Sequence, residues 1–221
     1  MSLQIRNLRK SYQQGEQKID VLKGLEVDIP DGRLVSILGR SGSGKSTLLS
    51  LLAGLESADH GEILVDGKDL VSMSEKDLTA FRAQKISLVF QQYHLVSHLS
   101  ALENVTLPLE ILGRPNGEEK ATALLTELGL GHRLHHTPGQ LSGGECQRVA
   151  IARALVVEPK VLLADEPSGN LDVHTGDKVM DLFFEIAKKH KITTVLVTHS
   201  ESLARRCEKS YRLDEGVFTE V

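Results

Sequence analysis

Only two residues of the chain are cysteine, Cys146 and Cys207, and they stand far apart. That excludes a disulfide framework and a paired-thiolate metal site, and it points to free thiols in a reducing compartment. Long apolar runs are missing too. Nothing approaches the roughly 18 consecutive apolar residues that would cross a bilayer, and the charged start MSLQIRNLRK has no apolar stretch behind it to act as a leader. The expectation is a soluble, cytoplasmic protein. No lysine or arginine run stands out and the formal net charge is -4, so no nucleic-acid partner is expected. Internal repeats, low-complexity tracts and flexible linkers are absent as well. What remains, 40% hydrophobic and 25% charged over 221 residues, is the composition of a globular protein with one sizeable core.

Against that background the segment GRSGSGKST fits the phosphate-binding pattern GxxxxGK[ST]; it comprises Gly39, Arg40, Ser41, Gly42, Ser43, Gly44, Lys45, Ser46 and Thr47. The apolar run 34–38 reads as a buried parallel strand and 46–53 has helical periodicity, so the glycines join a strand to a helix. Gly42 and Gly44 let backbone N–H groups turn toward phosphate oxygens, and the helix N-terminus adds its positive end. Lys45 would reach the β- and γ-phosphates, and Ser46 would offer its hydroxyl to Mg²⁺, which seeks hard oxygen ligands.

Partial alternation over 3–12 and 21–29 predicts two antiparallel strands joined by a polar loop, QQGEQK, with a third such strand over 61–65. The pattern then predicts a helix over 70–82 and a core strand over 86–90. Leucines at helical spacing from 102 to about 130 predict two helices broken at 113–117. A helix over 144–157, a strand over 161–164, a helix over 175–190, a strand over 193–197 and a short helix over 200–206 follow. Small strands over 211–213 and 217–219 close the chain.

Asp165 follows four apolar residues, so its carboxylate emerges from a buried strand where it can hold Mg²⁺ directly or through water. Glu166 comes next and points elsewhere. His199, just past the strand 193–197, emerges at the same sheet edge, where ligands collect in open α/β folds. LSGGE, 141–145, opens a helix with Ser142 as hydroxyl donor, which makes a second anion-seeking helix terminus. One P-loop already holds the phosphates, so the second terminus suggests two copies facing head to tail, each covering the phosphates bound by the other. The histidines His132, His135 and His136 have no carboxylate or cysteine at ligand spacing and read as a solvated loop.

In this order GRSGSGKS, the glutamine of LVFQQ, LSGGE, VLLADEP and the histidine of VTHS resemble the ATP-binding subunits of ABC transporters. The resemblance implies an α/β P-loop NTPase cassette over 1–221, with a RecA-like core, an antiparallel β subdomain and an α-helical subdomain at about 92–158. It implies that Glu166 polarises the attacking water, that His199 contacts the γ-phosphate and partners Glu166, and that Gln91 contacts Mg²⁺ and water. Gln91 is preferred over Gln92 because it directly follows Phe90. Tyr12 would stack on adenine, Ser142, Gly143, Gly144 and Glu145 would act across the dimer interface, and Asp172 in SGNLD would align the opposing site. Two departures stand out: Glu145 where many relatives carry glutamine, and Arg40 where a small residue or proline is common. Cys146 adjoins the signature and reads as a bystander.

The phrases FRAQKISLVFQQYHL, LSALENVTLPL and ADEPSGNLD resemble the lipoprotein-release and macrolide-export branch, and within it most closely the YbbA-like members. That implies a permease partner with a large extracytoplasmic domain and a position on the cytoplasmic face of the bacterial inner membrane. The stretch 93–107, with Leu95, Val96 and Leu99, reads equally as a docking surface for that partner and as packing on the chain's own helices. Two other classes stay in view, a soluble ABC ATPase without a permease and a nucleotide-gated regulatory scaffold. The single uninterrupted cassette argues against the first, and the presence of Glu166 and His199 against the second.

Overall fold

The computed structural model describes residues 3–221; Met1 and Ser2, at the start of the expected domain, lie outside the described residues. β1 (Leu3–Gln14) and β2 (Gln17–Ile29) form a long hairpin that joins β4 (His60–Val65) and β5 (Lys68–Asp69) in an antiparallel sheet of order β2-β1-β4-β5. The predicted loop QQGEQK is mostly strand. Gln13 pairs with Lys18 and Gln14 with Gln17 across a turn at Gly15 and Glu16. Ladder bonds need only backbone groups, so a hairpin tip that is polar on both faces carries no periodicity to betray it. A bulge near Asn7 bends β1, and only glycine fits opposite it. A Cβ at Gly61 would stand 2.5 Å from the carbonyl oxygens of Arg6 and Asn7.

The second sheet holds β3 (Leu34–Leu38), β6 (Ile86–Val89), β7 (Val161–Asp165), β8 (Thr193–Thr198), β9 (Lys209–Asp214) and β10 (Val217–Glu220), in the order β10-β9-β3-β8-β7-β6. All pairings are parallel except β9 with β10. Every residue of β3 and β8 is buried. One hydrophobic cluster lies between the two sheets and around α1 (Lys45–Leu52). Another joins the opposite face to α3 (Ala101–Ile111), α5 (Gly143–Leu155) and α6 (Val173–Lys189). Cover on both faces is why these strands read as unbroken apolar runs.

α3, α4 (Gly117–Glu127) and α5 pack on one another. The predicted break falls where the chain turns through Gly113 and Asn116, both at positive φ, and Arg114 Nη1 ties it down by donating to the Val157 carbonyl at 2.8 Å. α2 (Glu75–Lys85) starts later than the pattern predicts. Ser74 caps it by accepting from the Asp77 N–H at 3.2 Å, while Leu70 is buried in the turn before it and donates its N–H to Ile63. Burial of an apolar side chain in a turn mimics the first residue of a helical stripe; the Ser-x-x-Asp cap marks the true start. α7 (Glu201–Ala204) is the short helix expected after β8.

Candidate active site

Sheet register gathers the chemistry at one edge. Leu38 is level with Thr198, Asp165 with Val197, and Val89 with Ala164. The residues that follow, Gly39, His199, Glu166 and the Phe90–Gln91 pair, therefore leave the sheet together, from strands about 4.8 Å apart. In open α/β folds this carboxyl edge is where ligands bind.

Gly42 and Gly44 have φ of 78° and 98°, in the left-handed region, and α1 begins at Lys45 with no side chain capping its first N–H groups. Those donors and the helix dipole face the space that a phosphate would fill. Lys45 Nζ lies over the loop, donating to the Gly39 carbonyl at 2.8 Å and to that of Arg40 at 2.7 Å. Arg40 thus contributes backbone, and its exposed side chain leaves the cradle open. Ser43 Oγ is buried without a hydrogen-bond partner, as expected for a group that a ligand completes. The exposed Ser46 hydroxyl and the half-buried Asp165 carboxylate supply hard oxygens suited to Mg²⁺. Burial first, then the neighbouring Glu166, holds the Asp165 carboxyl above its ordinary value, and Lys45 opposes the rise. A bound cation would reverse it.

Glu166 has φ 43°. Its N–H still donates to the Val197 carbonyl at 2.9 Å, so the ladder continues into the left-handed turn. Strain of this kind, of order 1–3 kcal/mol, persists where the surroundings fix it and clusters at functional sites. Glu166 Oε2 is 2.8 Å from His199 Nδ1. A carboxylate only accepts, so Nδ1 carries the proton and Nε2 is left to face the cleft. That cleft, about 260 Å³, is lined by Glu166, Ser168, Asp172, Thr198, His199 and Ser200 among others.

Gln91 and Gln92 are distinct. Gln92 is exposed, whereas Gln91 Nε2 donates to Asn170 Oδ1 at 2.9 Å and the Gln91 carbonyl accepts from Asn170 Nδ2 at 3.1 Å. α5 grips the same segment: Gln147 donates to the Phe90 carbonyl at 3.3 Å, and Arg153 donates to those of Tyr93 and His94 at 2.8 and 2.7 Å. Sequence reading missed Asn170, Gln147 and Arg153. Only the side-chain amide in SGNLD hinted at a polar contact for the first.

Ser142 caps α5 in a reciprocal box. Its Oγ accepts from the Glu145 N–H at 3.3 Å, while Glu145 Oε2 accepts from Ser142 N and Oγ, both at 2.8 Å. A Cβ at Gly143 would meet Tyr93 and Leu171, and one at Gly144 would meet Thr175. Of the P-loop glycines, Gly44 instead abuts Val21 and Leu22, Gly39 abuts Leu213, and a Cβ at Gly42 would meet open space. The two anion-seeking helix termini therefore occupy different neighbourhoods of the chain.

A family model described as ABC transporter matches residues 22–169. The chain belongs to the ABC transporter family. The lipoprotein-releasing system ATP-binding protein LolD of Bdellovibrio bacteriovorus is 47% identical over 212 residues, covering 95% of this chain and 96% of the relative. An uncharacterized ABC transporter ATP-binding protein, YbbA of Escherichia coli K12, is 46% identical over 220 residues, 99% and 96% of the two chains. Among solved structures, the ATP-binding cassette MJ0796, as a dimer in a post-hydrolysis state with ADP and Pi, superposes with TM-score 0.89 at 39% identity, covering 99% and 97%. Like its family, this chain is an ATPase that uses ATP with Mg²⁺. No helix among the described residues is long and apolar enough to cross a membrane.

In this ABC cassette Tyr12 is 39% exposed and its hydroxyl donates to Glu56 Oε2 at 2.8 Å. Burial and Glu56 raise its phenol, with the P-loop residue Thr47 acting against them, so Tyr12 flanks the start of α1. Asp172 caps α6, accepting from the Thr175 N–H at 3.1 Å. Cys146 is buried and faces the Pro138 carbonyl; burial, then Glu145, raises its thiol, and burial pushes Cys207 to about 11. Neither is an activated nucleophile. Among the described residues no cluster of three or more His, Cys, Asp or Glu side chains is arranged to hold a metal ion; His136 Nε2 sits 3.1 Å from Arg133 Nη1.

The stretch 93–107 is divided between the two readings. Leu95 packs on the helical core, and Asn104 clamps Val96 by accepting from its N–H and donating to its carbonyl. Leu99 stays half-exposed beside His98. The signature glycine gives a clean test of packing. A Cβ at Gly144 would stand 2.5 Å from Thr175 Cγ2, so Gly144→Ala is expected to destabilise by about 1–3 kcal/mol despite alanine's helix propensity. A urea titration checks it, and an unchanged midpoint counts against the packing of α5 on α6.

Proposed function

We propose that two copies of this cassette pair head to tail around two ATP molecules and drive a permease of the lipoprotein-release and macrolide-export type, working at the cytoplasmic face of the inner membrane. The observation that carries the pairing is that one chain presents two anion-seeking termini in different surroundings: Gly44 and Gly39 of the P-loop abut Val21, Leu22 and Leu213, whereas Gly143 and Gly144 after Ser142 abut Tyr93, Leu171 and Thr175. The dimeric structure of the cassette MJ0796 supports it, and the LolD relatives support the type of permease.

In this reading each residue has a task. The backbone from Gly39 through Thr47 cradles the phosphates, Arg40, Ser41 and Ser43 included; Lys45 neutralises the β- and γ-phosphates, and Tyr12 stacks on adenine. Ser46 and Asp165 hold Mg²⁺ with Gln91, whose amide also reaches the attacking water. Mg²⁺ supplies charge neutralisation at the transferred phosphoryl group. Glu166 polarises that water, and His199, held by Glu166, contacts the γ-phosphate through Nε2. Ser142, Gly143, Gly144 and Glu145 complete the partner's site, with Asp172 aligning it. The helical unit at about 92–158 moves as a body, because Gln147 and Arg153 tie the signature helix to the Gln91 segment.

The test is mass spectrometry of what copurifies with the Glu166→Gln variant and ATP from detergent-solubilised native membranes. A stoichiometric permease with a large extracytoplasmic domain is expected, and its absence would favour a soluble ATPase that needs none. Leu99→Asp is expected to lower the recovered permease severalfold while ATP-dependent pairing persists; equal recovery would move docking away from this loop.

A further inference from the structure

Glu145 is a carboxylate in a turn that, in the reading above, faces the γ-phosphate of a second copy's ATP. Both of its oxygens are already engaged. Oε2 accepts from Ser142 N and Oγ, and Oε1 accepts from Arg133 Nε at 3.0 Å. Its side chain is 14% exposed, so it cannot reach across an interface without breaking the cap. It acts through Ser142.

A carboxylate creates a difficulty that a neutral glutamine at this position does not. It places a negative charge one hydrogen bond behind the surface where a polyanion must dock, and like charges brought together in a partly dry interface repel strongly. Arg133 answers it. Its guanidinium, bonded to Oε1, cancels the charge of Glu145. With Ser142 first and Arg133 adding to it, the Glu145 carboxyl is held at about 2 and stays ionised throughout the physiological range.

Arg133 is not a loose surface side chain. Its N–H donates to the Leu130 carbonyl at 2.8 Å and its carbonyl accepts from the His136 N–H at 2.9 Å. The carbonyls of Leu134 and His136 in turn accept from the first N–H groups of α3, those of Leu102 and Ala101, at 2.9 and 2.8 Å. Arg133 Nη1 also lies 3.1 Å from His136 Nε2, which accepts because a guanidinium only donates. The segment that presents Arg133 is thus fixed to the helical unit, and the guanidinium is aimed.

We propose that Arg133 is a positioning residue for the composite site: it neutralises Glu145, so that capped Ser142 meets the partner's γ-phosphate without a bare carboxylate behind it. This rests on the head-to-tail pairing proposed above. It makes Arg133 matter only while residue 145 carries a charge.

The test uses the full chain in a Glu166→Gln background, with ATP-dependent pairing followed as solution mass against protein concentration. Arg133→Met is expected to weaken pairing on the order of 10-fold or more, with the loss shrinking as salt rises to about 0.5 M, because an uncompensated surface charge is screened. Arg133→Lys should retain most of the pairing. Adding Glu145→Gln to Arg133→Met should restore it to within about twofold of Glu145→Gln alone, a rescue that a purely structural role for Arg133 would not give. ADP affinity, measured on the monomer, should be the same for Arg133→Met and Arg133→Lys as for their parent. Pairing by Arg133→Met equal to its parent, or equally weak whichever residue stands at 145, would overturn the proposal. A Glu166→Gln parent that stays monomeric with ATP would overturn the head-to-tail reading and this one with it.

Discussion

Glu166→Gln is expected to bind ATP normally and to hydrolyse it on the order of 10²-fold to 10⁴-fold more slowly than the wild type, the range that general-base catalysis contributes. The amide is nearly isosteric with the carboxylate, and its oxygen can still accept from His199 Nδ1, now 2.8 Å from Glu166 Oε2, so the imidazole keeps its orientation. What disappears is the basic oxygen. The P-loop is untouched, and removal of the Glu166 charge takes away one of the two causes that raise Asp165, so the metal site is not weakened. Bound but unhydrolysed ATP then holds two copies together, because a ligand that binds the paired state more tightly shifts the population toward it. Steady-state phosphate release and light scattering read the two effects separately. Turnover at the wild-type rate would remove Glu166 from the role of base. Slow turnover without a doubled mass would leave the base in place and count against the composite site.

The parts of this site that were legible in the sequence are those set by local chemistry. GRSGSGKS carries its own strand, turn and helix, and the apolar runs before Asp165 and His199 fix both at strand ends. Parallel register, with Asp165 level with Val197 and Leu38 with Thr198, then brings them to one edge without further information. Contacts between distant polar side chains were not legible. Asn170 meets Gln91 across 79 positions, Arg153 meets Tyr93 across 60, and Arg133 meets Glu145 across 12. The chain holds 25 amide and guanidinium side chains that could have made such bonds, and nothing in periodicity chooses among them. The same limit explains the hairpin tip. Residues 13 to 18 pair through backbone alone, and their side chains are exposed on both faces, so the alternation that announces a half-buried strand never forms. Helix starts sit between these cases: Ser74, Ser100 and Ser142 each cap a helix through a residue three positions on, a signal that local sequence holds in full.

Lys45→Ala, by contrast, is expected to lose ATP at the binding step, with affinity falling about 100-fold or more, since removing one member of a close, partly desolvated charge pair costs about 2–5 kcal/mol. The fold should survive. Among the described residues Lys45 Nζ bonds to the carbonyls of Gly39 and Arg40 alone, at the half-exposed and exposed lip of the loop, where water can replace an ammonium at little cost. The left-handed turns at Gly42 and Gly44 do not depend on that side chain, so thermal unfolding without nucleotide should shift by no more than a few degrees. Two losses combine at the site itself. The phosphates lose their cation, and Asp165 loses the charge that opposes its upward shift, which makes its carboxylate harder to ionise and a poorer partner for Mg²⁺. Nucleotide affinity should therefore fall further with Mg²⁺ present than without it. Calorimetric titration with ATP, in Mg²⁺ and then in EDTA, separates the two. If ATP binds Lys45→Ala as tightly as wild type in both, the ammonium is a strut for its own loop and the phosphates are held by backbone donors alone. If the loss is the same with and without the metal, Lys45 acts on phosphate directly and Asp165 does not feel it.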